Sequence, residues 1–153
     1  MTALSPADAA TLLKDRLALE STVDGRRLDV TVDPARWQQT AALVKGDLGC
    51  VFFNWLTAVD WKEQGFEIVC RLENLDAPFA VTVHTRLGAG VTRCQTLTGL
   101  YRGANWMERE CYDMFGVVFD GHPDLRRILL GDDWEGHPLR KDYALDTPQA
   151  PYR

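Results

Sequence analysis

The chain has 153 residues, of which 46% are apolar and 25% charged, and its net charge is −5. That length suits one domain, able to bury roughly 70% of the surface its unfolded chain exposes. The acidic balance argues against a nucleic-acid module, which presents a basic face, and no apolar run approaches the ~20 residues needed to cross a bilayer.

The first twenty residues carry Asp8, Lys14, Asp15 and Arg16 through their apolar stretch. This patterning excludes a signal peptide and a membrane helix. A cytoplasmic address is the default expectation, with any membrane association coming through a partner. Ser5 followed by Pro6 and Asp8 reads as the start of a helix whose stripe is Ala9, Leu12, Leu13, Leu17 and Leu19. Asp24-Gly25 is a turn signal ahead of a strand in which Leu28, Val30 and Val32 alternate with polar residues. Asp33-Pro34 opens a second helix, with Trp37, Ala41 and Val44 inward and Gly46 or Gly49 at its end.

CVFFNWLTAVDW reads as a continuous buried strand. FEIVCRLEN and PFAVTVHTRL are two further strands joined by a hairpin at 75–78, and His84 is an ordinary strand residue. LGAGVTRCQTLTGLY reads as a glycine-rich connection followed by a strand or short helix. A last helix begins at Asn105 as N-cap, with Glu108 three residues on as in a capping box. Met107, Cys111, Met114 and Phe115 share one face, Arg109 and Asp113 pair at i, i+4, and Gly116 closes the helix. The order helix, strand, helix, strands predicts an α+β fold: two layers, with helices on one face of a mixed or antiparallel sheet.

After Phe119 the pattern changes. Residues 120–153 hold two His-Pro pairs and one short apolar cluster, Ile128-Leu129-Leu130. Such a segment cannot form a core of its own. The expected division is an α+β domain over 1–119 and an extended partner-docking arm over 120–153.

Three chemistries compete for the polar residues. His122 and His137 with Asp132, Asp133 or Glu135 offer metal-binding groups, but without helical i, i+4 spacing and with both histidines before proline. Glu108, Glu110 and Asp113 offer acid–base groups without an adjacent nucleophile or phosphate loop. Arg126-Arg127 and Arg140-Lys141 are interleaved with Asp124 and Asp142, which suits a protein partner of mixed sign or salt bridges within the chain. Cys50, Cys70, Cys94 and Cys111 lack the tight pairs of iron–sulfur or structural zinc sites and read as core thiols.

Three blocks in order, NWMERECYDMFG, GHPDLRRILL and DDWEGHPLRKDY, resemble the signature of the 30-kDa subunit family of NADH:quinone oxidoreductase, respiratory complex I. The family's E-R-E-x-x-D-x-F-G core falls on Glu108, Arg109, Glu110, Asp113, Phe115 and Gly116. The other two blocks fall on His122 to Arg127 and on Gly136 to Tyr143. FFNWLTAVDW resembles the family's buried strand, whereas the first fifty residues match only in length and element order.

The resemblance implies a peripheral, non-catalytic subunit on the cytoplasmic side of the inner membrane. It implies no cofactor in this chain, with FMN and Fe–S clusters in partner subunits that carry electrons from NADH to quinone while ions are translocated. The implied partners are the quinone-site subunit (the D component of the complex) and neighbouring Fe–S subunits. Some relatives are fused to the quinone-site subunit; a chain ending soon after Tyr143 is expected to be separate. Glu108, Arg109, Glu110, Asp113, Arg126, Arg127, Trp134, His137, Arg140, Lys141 and Tyr143 are the candidate docking residues, with Trp134 and Tyr143 as aromatic anchors. Two alternatives stay open: an equivalent subunit of a membrane-bound hydrogenase or other-donor dehydrogenase, and a small His/carboxylate metalloenzyme.

Overall fold

A computed structural model describes residues 4–146. Helix α1 (Pro6–Leu17) starts on a capping box: Ser5 Oγ accepts from the Asp8 amide at 3.2 Å, and Asp8 Oδ2 accepts from the Ser5 amide at 3.0 Å. Strand β1 (Ser21–Asp24) turns through Gly25, which has a positive φ, into β2 (Arg27–Val32). Asp33 caps a single 3₁₀ turn over Pro34–Arg36, and α2 (Trp37–Gly46) follows with Trp37, Ala41 and Val44 buried as its spacing predicts.

Strands β3 (Phe52–Asp60), β4 (Phe66–Asn74) and β5 (Phe79–Gly88) complete a five-stranded sheet in the order β1-β2-β5-β4-β3. Only the β2–β5 pair is parallel, so the sheet is mixed. The predicted hairpin at 75–78 is present, set by Asn74 Oδ1 accepting from the amides of Asp76 and Ala77 at 2.9 Å each. Register places Val30, Val83, Cys70 and Leu56 in one cross-sheet row, and Val32, Thr85, Ile68 and Ala58 in the next. These rows are the buried face. His84 lies on the other face, where Glu67 Oε1 approaches its Nδ1 at 2.9 Å.

Two expectations for these strands change. The segment 21–24 is a strand that its polar composition hides. β3 is not a central buried strand but the sheet edge, with Phe52 46% exposed and only Leu56 and Ala58 fully covered. Its run of apolar residues meets a helix instead of another strand. That helix, α3 (Ala104–Phe115), packs along β3, and the Leu56 amide reaches Met107 Sδ at 3.1 Å. Short strands β6 (Arg93–Gln95) and β7 (Val118–Asp120) pair in parallel on either side of α3 in sequence, joined also by an Arg93–Asp120 ion pair.

Candidate functional site

Helix α3 carries charge on two of its faces, and each face has a different task. It begins two residues before the sequence pattern places it, with Gly103 instead of Asn105 at the N-cap position and no side-chain cap bond. Asn105 is therefore inside the helix. Glu108 lies on the face of Ala104, Cys111 and Phe115, all buried, and is itself fully buried. It does not reach back to cap the helix. Its Oε1 accepts from the Leu97 amide and its Oε2 from the Thr96 hydroxyl, both at 2.6 Å, fixing the loop between β6 and α3. Burial raises its carboxyl to about 7, against the lowering effect of those two bonds.

The second face is the stripe Asn105, Arg109, Asp113, spaced i, i+4, i+8. Here the irregular chain after β7 is laid down from one end of the helix to the other. His122 Nε2 donates to the Asn105 carbonyl at 3.1 Å, while its Nδ1 accepts from the Asp124 amide. Arg109 donates to the carbonyls of Arg126 and Arg127 at 3.1 and 2.9 Å. Asp113 Oδ2 accepts three successive amides, Ile128, Leu129 and Leu130, at 3.2, 2.8 and 3.0 Å. Its Oδ1 holds Arg127 Nη1 at 2.8 Å, and Arg127 Nη2 continues to the Gly136 carbonyl at 2.9 Å. At the helix end, His137 Nδ1 donates to the Asp113 carbonyl and the Leu139 amide to the Met114 carbonyl, each at 3.0 Å.

Burial alone would raise the Asp113 carboxyl. The three amides and the guanidinium outweigh it and hold the group below the usual carboxylate range. Gly116, at φ +76°, ends the helix in the left-handed region, and a side chain there would meet the His137 ring at 2.8 Å. Asp60 Oδ2 finally takes the Lys141 amide at 2.8 Å. The result is a clasp: side chains of the folded domain grip the main chain of the arm.

The sequence of residues 30–149 matches the family described as respiratory-chain NADH dehydrogenase, 30 Kd subunit. The chain belongs to that family. It is 38% identical over 151 residues to the C component of the NADH-quinone oxidoreductase of Citrifermentans bemidjiense, covering 95% of this chain and 94% of that one. For several other relatives of the same name, the match covers 56% to 63% of their length. Among solved structures, the trypsin-resistant fragment (1-134) of Nqo5 superposes with a TM-score of 0.67 at 26% identity, covering 78% of this chain and 98% of the fragment. A chain of a membrane-bound sulfane sulfur reductase, an archaeal respiratory membrane complex, superposes with a TM-score of 0.80 at 28% identity, covering 90% and 84%.

In this member of the family the clasp sorts the candidate residues by what they touch. Glu108 and Asp113 are fully buried, Arg109 spends its bonds on the chain's own backbone, and Arg127 spends its bonds on Asp113 and the Gly136 carbonyl, so these four are internal struts. The expected Arg109–Asp113 surface pair does not form, because both side chains turn to the arm. Arg126 stays exposed beside Asp124 at 2.9 Å, and Glu110 is exposed on the outer side of the helix. Arg140 pairs with Asp142 at 3.2 Å and lies over the Phe66 ring, 5.5 Å from its centroid. The Lys141 side chain faces solvent. Trp134 is half-buried with an indole N–H that finds no acceptor, and Tyr143 packs its ring against Gly136.

The metal reading gains no geometry: both histidines are committed to α3, and among the described residues no three His, Cys, Asp or Glu side chains converge on a metal-sized position. The four cysteines are buried and free, and burial pushes the Cys50 and Cys94 thiols up to about 12. A cleft of about 430 Å³ under residues 140–142 mixes Lys62, Arg140 and Lys141 with Asp60, Glu63 and Asp142, and so favours neither sign of ligand. Among the described residues no helix is long and apolar enough to cross a membrane.

Proposed function

We propose that this subunit positions redox neighbours without carrying electrons itself, in a peripheral arm on the cytoplasmic side of the membrane. It docks through its clasped arm against the quinone-site subunit and the adjoining Fe–S subunits of an NADH:quinone oxidoreductase. FMN and the Fe–S clusters belong to those partners. The observation that carries the reading is the clasp. Buried charges fix the arm by its main chain, which leaves apolar side chains such as Leu139 and Leu145 in solvent. Exposed apolar groups on a rigid support are what an interface uses.

The test is the double substitution Leu139→Asp with Leu145→Asp. The purified chain should unfold at an unchanged temperature, while its retention in the membrane complex and NADH-dependent quinone reduction fall together. Normal assembly with lost turnover would defeat the docking reading, as would stoichiometric metal or flavin in the purified chain.

A second reading is favoured by the likeness to the sulfane sulfur reductase chain: the same docking task in a respiratory complex with another donor or acceptor. Co-purification separates the two. A flavin-bearing, NADH-oxidising partner supports the first reading, and its absence from an intact complex supports the second.

A further inference from the structure

Helix α3 turns one large apolar side chain away from the molecule. Trp106 is 61% exposed, although Ala104, Cys111, Met114 and Phe115 of the same helix are buried. Its indole lies over the Arg109 guanidinium, 5.2 Å from ring centroid to Cζ. That guanidinium is the one holding the carbonyls of Arg126 and Arg127, and Leu129, also 61% exposed, follows two residues later. One side chain thus ties an exposed tryptophan to an exposed stretch of arm.

Arg109 is only 5% exposed, yet its bonds go to carbonyl oxygens, and among the described residues no carboxylate forms an ion pair with it. The nearby carboxylates are hydrogen-bonded elsewhere, Asp113 to Arg127 and three amides and Asp124 to Arg126, so that Asp124 acts on Arg109 through space and not by contact. A guanidinium has five N–H donors in a planar fork, and two are used here. A buried cation without a paired anion is costly, and a carboxylate is its natural complement.

We infer that the Trp106–Leu129 rim over Arg109 is a docking surface for a protein partner that presents an aspartate or glutamate beside an apolar side chain. The apolar side chain packs on the indole and Leu129, and the carboxylate sits at the open edge of the guanidinium. The inference rests on the docking reading above and names the chemistry of what docks.

Photo-crosslinking in the assembled complex tests it, with p-benzoylphenylalanine in place of Trp106 and, separately, in place of Leu139. An aromatic group is kept at position 106, so the fold is not at risk. The expected product at 106 is a crosslink to one neighbouring subunit, within a peptide containing Asp or Glu. Changing that acid to its amide should then speed salt-induced release of this chain by about 10-fold or more. A crosslink at 106 to lipid or to an acid-free peptide overturns the inference. So does no crosslink at 106 while position 139 crosslinks to protein, an outcome that leaves the docking reading standing. Failure of both positions to reach protein removes the docking reading as well.

Discussion

The sheet and the clasp solve the same problem with opposite chemistry. In the sheet, side chain meets side chain: Val30, Val83, Cys70 and Leu56 form a row with no polar partner to satisfy. In the clasp, side chain meets main chain, and a few buried charges make most of the side-chain bonds to the middle of the arm. Apolar packing spreads its contribution over many contacts and tolerates volume-conserving change. A buried ion concentrates it, because removing one partner strands the other. The sheet should therefore degrade gradually under substitution and the clasp abruptly.

Asp113→Ala should break that contrast most sharply. It strands Arg127 and three amides, costing about 3–5 kcal/mol, and the arm should become protease-sensitive before the sheet unfolds. Arm release coincident with global unfolding would show that the two regions are one cooperative unit.

Acidity is the second lever. The Glu108 carboxyl rises from 4.5 to about 7 in the folded chain, so its stabilising protonated form is complete below pH 4.5 and lost as pH climbs through 7. The loss is of order 3 kcal/mol by the linkage between proton affinity and stability. Asp113 acts in the opposite sense: its contribution stands above the ordinary value of 3.8 and disappears as pH falls below it. Urea midpoints measured against pH should fall as pH drops below the ordinary Asp value and again as it climbs from 4.5 to about 7, and Glu108→Gln should flatten the second fall alone.

Gly116→Ala combines a left-handed backbone with a collision at His137 and should cost about 2 kcal/mol, measured as a lowered Tm. Smallest is Arg126→Ala. Its pair with Asp124 lies in solvent, where ion pairs contribute little, so thermal unfolding should barely move, in contrast to Arg127→Ala one position on.

That contrast between adjacent arginines also marks where sequence reading stops. The caps at Ser5 and Asp33, the alternation in β2 and the strands on either side of the 75–78 hairpin are local patterns, and the structure keeps them. β1 is too short and too polar to announce itself, and β3 looks central because a run of apolar residues does not say what covers it. Nothing local separates Arg126 from Arg127, since what differs is a carboxylate on a helix far earlier in the chain. Glu108 did offer a signal: it falls in step with Ala104, Cys111 and Phe115, so a glutamate at that position had to be inside. The capping-box pattern concealed it, because the same three-residue spacing fits a bond to its own helix start.

The three amides gathered by Asp113 have one more implication. A carboxylate that reads only N–H groups is indifferent to which side chains those residues carry. Leu129, whose side chain is exposed, could be exchanged for another residue, proline excepted, without loosening the grip. The arm is in effect a mounting rail whose fittings are interchangeable. A single fold can then hold the same path across α3 while the outward side chains vary.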